Sequence, residues 1–219
     1  MLKNGKYRAF RNIPVGWLLQ AIHSTDLSER LFRILFEILM LLVVWYSLFQ
    51  GMKYSILYAF GISHTVCWLL TGNFWVYMLD SFLLVKNPGI ENLIEFLKKS
   101  KRAFAVLDCC DAILVYGSMC RGMFHIRSDL DLRIVRRSDS KRGVVALLIG
   151  LFFRIYSFFK IIPVDLEVVD SMAFLHHQMR DDEVPIVVYH RPGSSLDISG
   201  QSFDDVVRNP DSVLKENGA

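Results

Sequence analysis

Three short stretches of this chain carry residues whose types and spacing suit phosphoryl chemistry. Val115-Tyr116-Gly117-Ser118 is followed, after ten residues, by Asp129-Leu130-Asp131-Leu132, and Pro163-Val164-Asp165-Leu166-Glu167 lies further on. A glycine after a strand turns the chain sharply and lets backbone N–H groups approach a phosphate, while a serine hydroxyl donates to a phosphate oxygen. Asp129 and Asp131 are one residue apart, so on an extended strand both carboxylates leave the same face and bind the same pair of divalent ions. A third acid from a neighbouring strand completes a site that positions an attacking oxygen and neutralises a leaving pyrophosphate. Asp165 is the expected third acid. Glu167, on the same face two residues along, is its rival, and Asp170 falls near the strand end on the opposite side.

The string GSMCRGMFHIRSDLDLRIV, from Gly117 to Val135, resembles the active-site signature of the DNA polymerase beta-like nucleotidyltransferase superfamily, in particular its minimal and antibiotic-modifying branches. Gly117, Ser118, Arg121, Gly122, Ser128, Asp129 and Asp131 match positions of that pattern, and Asp165 matches its later single acid. The resemblance covers about Ile90 to His190 and leaves the N-terminal part unaddressed. It implies an α/β domain built on a small mixed β-sheet with flanking helices. It also implies transfer of a nucleoside monophosphate from a nucleoside triphosphate such as ATP. Asp129, Asp131 and Asp165 would hold two Mg2+ ions, with Mn2+ as the alternative, and Asp165 would help activate the acceptor hydroxyl. Gly117 and Ser118 would hold the triphosphate, with Arg121, Gly122 and Ser128 completing the nucleotide site.

The elements around these residues follow from pattern. Ile90, Leu93, Ile94 and Leu97 recur at helical spacing, so Ile90–Lys101 is read as a helix. Ala112–Tyr116, Leu130–Val135 and Val164–Val169 are short apolar strands, with an apolar stretch from Val144 to Phe159 between the second and third. Ser171–Arg180 reads as a short helix and Val184–His190 as a further strand. His125 is expected in a loop near the nucleotide, and Cys109-Cys110 are expected to pack rather than react.

Ahead of this lies a different solvent. Ile34–Phe49 has Glu37 as its only charge, with Arg33 one helical turn earlier for an i,i+4 pair, and Tyr54–Leu79 has no Asp, Glu, Lys or Arg. Together they read as an α-helical transmembrane hairpin, each run long enough for a hydrocarbon core of roughly 30 Å. Lys3, Lys6, Arg8 and Arg11 precede it and Lys98, Lys99, Lys101 and Arg102 follow it, which sets both termini and the catalytic domain in the cytoplasm. The chain thus divides into a basic arm (1–30), a two-helix hairpin (31–86), a nucleotidyltransferase domain (87–192) and a polar, flexible tail (193–219). His64, inside the second run, is assigned no role.

The segment Val144–Lys160 would pass for another span on hydropathy alone. A spanning helix there would put Asp131 and Asp165 on opposite sides of a bilayer, so it must lie between sheet and hairpin, in the interfacial plane, or between subunits. A homo-oligomer would form through 144–160 or the hairpin. The formal charge of +3 is too small to point to nucleic acid as a partner, and the four cysteines show neither metal spacing nor a disulfide framework. The expected partners are a nucleoside triphosphate, the lipid bilayer and a lipid-linked or membrane-delivered acceptor, including a sugar or polyol phosphate. Two rival readings stand beside this one: a nucleotidyltransferase that modifies a partner protein, as the antitoxin-like branch does, and an inactive membrane scaffold that binds nucleotide without turnover.

Overall fold

The computed structural model describes residues 14–18, 25–52, 54–71, 74–81, 86–180 and 183–214. The basic residues Lys3, Lys6, Arg8 and Arg11 lie outside them. Five strands, β1 (Cys110–Tyr116), β2 (Leu130–Arg136), β3 (Val164–Val169), β4 (Ile186–His190) and β5 (Gln201–Ser202), form one mixed sheet in the order β3-β2-β1-β4-β5. β1 is antiparallel to both β2 and β4, whereas β2 and β3 are parallel and therefore need a crossover element.

Period-two alternation assigns the two faces of the sheet. Leu130, Leu132 and Ile134 of β2 join Val164, Leu166 and Val168 of β3 in the main core, under α4 (Ile90–Val106) and the crossover helix α5 (Ser140–Lys160). Gly150 lets α5 lie close on the sheet, because a Cβ there would come within 2.8 Å of Val168 Cγ2. On the other face Ala112, Leu114, Tyr116, Val135 and Val169 pack with Leu175 of α6 (Met172–Gln178). That short helix covers only part of the face, and the polar residues of β2 and β3 emerge beside it.

Ahead of this domain, among the described residues, lie a helical turn at 14–18 and the helices α1 (Leu27–Leu48), α2 (Ser55–Thr71) and α3 (Phe74–Ser81). α1 and α2 pack on each other as a hairpin. Among the described residues, the helices long and apolar enough to cross a membrane are α1 and α5, with 6% and 44% of their apolar windows buried. α1 thus presents nearly all its apolar surface outward, whereas α5 spends one side on the core. α2 has 17 residues, about 26 Å at 1.5 Å per residue, so the helix is shorter than the Tyr54–Leu79 run. The expected Arg33–Glu37 pair is not the one formed. Arg33 Nε lies 2.7 Å from Glu29 Oε1, and Glu37 Oε1 shares a 2.5 Å hydrogen bond with His64 Nδ1 across the hairpin.

α5 lies between the sheet and α2, the first of the three arrangements open to it. Ala146, Leu147, Gly150 and Phe153 face inward, while Val144, Leu148, Phe152 and Phe159 form an outward apolar stripe. The segment after Arg191, expected to be a flexible tail, instead adds β5, α7 (Phe203–Arg208) and a 3-10 turn (Pro210–Val213). Phe203, Val206 and Val213 are buried in the main core, and Ser202 caps α7 by accepting from Asp204 N.

Candidate active site

The site is built at one end of the strands' polar face. Asp131 of β2 and Asp165 of β3 are direct partners in the parallel register, with Tyr116 opposite Asp131 across β1. Adjacent strands lie about 4.8 Å apart, so the two carboxylates leave the sheet side by side. Asp129 stands one residue ahead of β2 and close enough to raise the proton affinity of Asp131.

β1 ends into the Gly117-Ser118 turn directly over these acids. Gly117 has φ +73°, and a Cβ there would sit 1.9 Å from Asp131 Oδ2. Only glycine brings backbone so near the carboxylate. Ser118 Oγ is buried without a hydrogen-bond partner among the described residues. A buried donor of this kind, beside a backbone that approaches the Asp131 carboxylate so closely, suits an anionic oxygen. Oxygen-only ligands of this type fit Mg2+ or Mn2+ rather than a soft metal.

Arg133 occupies the space between the acids. Its Nη2 is 2.8 Å from Asp165 Oδ2 and 3.9 Å from Asp131 Oδ1, its Nη1 donates to Asp165 O at 2.7 Å, and its Nε is 3.5 Å from Glu167 Oε2. Among the described residues no group of three Asp, Glu, His or Cys side chains converges as a ready-made metal site. Glu167 itself is buried and accepts from Asp26 N at 3.3 Å, so it faces the N-terminal segment as well as Arg133.

Electrostatics mark the same centre. Burial, reinforced by Asp129 and then Asp165, pushes Asp131 up to about 7. Burial likewise raises Glu167 to about 7 against the pull of Arg133. Arg133 is also buried, which alone would lower it, but Asp165, Asp131 and Glu167 overcome that and hold it firmly charged. Acids so crowded repel one another unless a cation lies among them.

The remaining expected residues divide. Arg121 stays with the turn: its Nε donates to Gly117 O at 3.1 Å and lies 3.5 Å from Glu183 Oε1. Gly122 (φ +63°) faces the C-terminal 3-10 turn, with Ser212 O 3.4 Å from its would-be Cβ. Ser128 Oγ accepts from His125 N at 3.0 Å and meets His125 Nδ1 at 2.5 Å, which braces the loop ahead of Asp129. Asn87, read as linker, is part of that brace, with Nδ2 donating to His125 O (2.7 Å) and Ser128 O (2.9 Å).

The motif gives no role to Arg133, Tyr116 or Glu183. Arg133 had a visible signal, since it follows Asp131 by two residues and must share its face. The N-terminal contribution had none. Asp26 caps α1 and its Oδ2 accepts from Asp170 N at 2.7 Å, and Ser28 Oγ donates to Asp170 Oδ2 at 2.8 Å. No protein-family model matches the chain, and no curated protein does.

Proposed function

We propose that this chain is a metal-dependent nucleotidyltransferase of the DNA polymerase beta-like superfamily, held at a membrane by α1 and α2 with both termini and the catalytic domain on the cytoplasmic side. It transfers a nucleoside monophosphate from a nucleoside triphosphate to a hydroxyl or phosphate acceptor that is lipid-linked or delivered at the membrane. The observation that carries this reading is the pairing of Asp131 with Asp165 in register beneath the Gly117-Ser118 turn.

Asp129, Asp131 and Asp165 would hold the divalent ions, whose chemistry would be stabilisation of charge on the transferring and leaving oxygens. The Ser118 hydroxyl and the Gly117 backbone hold the phosphates. Asp165, on the edge strand, takes the proton of the acceptor as its oxygen bonds to the α-phosphorus. The bond from that phosphorus to the bridging oxygen breaks, and pyrophosphate leaves with the electron pair. β3 is the edge strand, and the N-terminal segment docks on it through Asp26 N, which donates to Glu167, while Glu29 pairs with Arg154 of α5.

Arg133 seated on Asp131 and Asp165 is the observation that favours a second reading, nucleotide binding without turnover. Both are tested by incubating the detergent-solubilised full chain with labelled ATP, CTP, GTP and UTP, Mg2+ and a membrane extract. Labelling of an extract component by wild type, abolished in Asp129→Ala and Asp131→Ala, is the expected result. Labelling that survives both substitutions places the chemistry elsewhere, and binding without pyrophosphate release selects the second reading.

A further inference from the structure

The side of α5 turned away from the sheet is an apolar stripe. Val144, Leu148, Phe152 and Phe159 recur on one side of the helix and are 52%, 52%, 59% and 72% exposed. A continuous apolar surface of this kind marks a contact with something outside the chain. We infer that the stripe lies in the headgroup layer of an anionic bilayer, so that the catalytic domain makes a membrane contact of its own. The inference rests on the reading that α1 and α2 enter that bilayer, and it adds the class of lipid that holds the domain down.

The hairpin fixes where the bilayer surface falls. α5 meets it at its base: Glu29, in the first turn of α1, reaches Arg154, and Leu69 and Leu70, near the end of α2, line one small cavity with Ser157 and Phe158. Trp75 of α3 adds a hydrogen bond there, its Nε1 donating to Phe158 O at 2.9 Å. Trp45, Tyr46, Tyr54 and Tyr58 stand exposed around the opposite end of the hairpin, and Trp75 and Tyr77 stand at its base. Such side chains gather at the two water–lipid boundaries, so the base marks the near headgroup layer. α5 sits at that level. With the sheet packed on its inner side it goes no deeper, and its 21 residues, about 32 Å of helix, present the apolar side to lipid in the plane of the surface.

Charge selects the lipid. Lys99 of α4 donates to Tyr156 OH at 3.2 Å and stands 5.7 Å from the centre of its ring, which stacks on Phe152 with centroids 6.3 Å apart. Its ion pair with Glu95, at 3.6 Å, is half exposed and weak. Lys160 stands exposed beside Phe159 where α5 ends. Lysines so placed lay their stems on the apolar surface and carry their charge to headgroup phosphates. The arrangement bears on the acceptor. Ile161, 52% exposed, closes the stripe, and Asp165 follows it by four residues, about 13 Å of extended chain. An acceptor carried on a lipid headgroup thus has a short way to travel to the third acid.

Photo-crosslinking tests what covers the stripe. The full chain, reconstituted in lipid nanodiscs, carries p-benzoylphenylalanine in place of Phe152, Phe159, Leu39 or Asp197, and the adducts are identified by mass spectrometry. Leu39, exposed on α1, reports the anchor, and Asp197, exposed between Leu196 and Ile198 on the opposite face of the sheet, is the solvent control. Lipid adducts are expected at positions 152, 159 and 39 and not at 197. The yield at 152 is expected to rise roughly threefold or more when about a third of the phosphatidylcholine is replaced by phosphatidylglycerol. Lys99→Glu combined with Lys160→Glu should remove that rise and leave the adduct at 39 unchanged. Lipid adducts at 39 with none at 152 and 159 would overturn the docking while the anchored reading stands, and so would adducts at 152 joining two copies of the chain. Equal yields at 152 in the two lipids would overturn the assignment to anionic headgroups. Absence of lipid adducts at every position would bring down the anchor as well.

Discussion

Glu29, in the first turn of the apolar helix α1, meets Arg154 of the crossover helix α5 in the buried core, with Glu29 Oε1 2.6 Å from Arg154 Nη2. The same oxygen takes Arg33 at 2.7 Å, and Arg154 also donates through Nε and Nη2 to Leu166 O at 3.1 and 2.8 Å. Leu166 follows Asp165 directly. The helix that would anchor the chain is therefore tied, through one carboxylate and one guanidinium, to the strand that carries the third acid.

Removing one member of a buried ion cluster leaves its partners charged and unsolvated. Glu29→Ala is expected to destabilise the fold by about 3–5 kcal/mol, the range for breaking a buried pair from one side. Thermal unfolding in detergent checks it, and an unchanged midpoint would show that α1 does not seat on α5 as described.

For the same reason the domain should not separate cleanly from the hairpin. A fragment of residues 87–219 loses Glu29, leaves Arg154 in the core without its carboxylate, and bares the face of α5 that packs on α2. Such a fragment is expected to aggregate or melt well below the full chain in light scattering and circular dichroism. A soluble, fully active monomer would contradict the account of how the anchor supports β3.

Gly117 tests the close approach at the phosphate turn. Alanine there faces a backbone at φ +73°, a cost of about 1–2 kcal/mol in the left-handed region. It also drives a methyl group onto Asp131 Oδ2 at 1.9 Å. Gly117→Ala should cut nucleotidyl transfer at least a hundredfold while the circular dichroism spectrum is retained. Transfer within threefold of wild type would show that the turn does not need glycine.

Asp131 links pH to stability. Its folded pKa is raised to about 7, above the ordinary carboxylate value of 3.8, because burial and the acids Asp129 and Asp165 penalise its charge. Its stabilising contribution is therefore complete below about pH 4 and is lost as pH rises through 7. Without divalent cations, Asp131→Asn is expected to melt a few degrees higher than wild type at pH 8, with the difference shrinking toward pH 4. Added Mg2+ should raise the wild-type midpoint at pH 8 and leave the variant nearly unmoved. The opposite order of midpoints in metal-free buffer would show that Asp131 is not under this strain.

Much of the site could be read from residues near one another in sequence. Gly117-Ser118 and Asp129-x-Asp131 are local patterns, and strand alternation alone sets Asp165 and Glu167 on one face. Arg133 shared that legibility, since it lies inside the quoted string, but was given no role there. What could not be read depends on partners far along the chain. Nothing at Glu29 announces Arg154, and a buried carboxylate looks like any polar residue before an apolar run. The residues after Arg191 misled through composition, because Gly, Ser, Asp and Pro dominate while three apolar side chains, Phe203, Val206 and Val213, decide the packing.

The most direct measurement of the central claim needs no acceptor. Electron paramagnetic resonance counts Mn2+ bound to the full chain in the presence of a non-hydrolysable triphosphate, for wild type, Asp131→Asn and Asp165→Asn. Two bound ions in wild type and loss of at least one in each variant is the expected result. Equal Mn2+ occupancy in all three proteins would contradict a catalytic centre at these carboxylates.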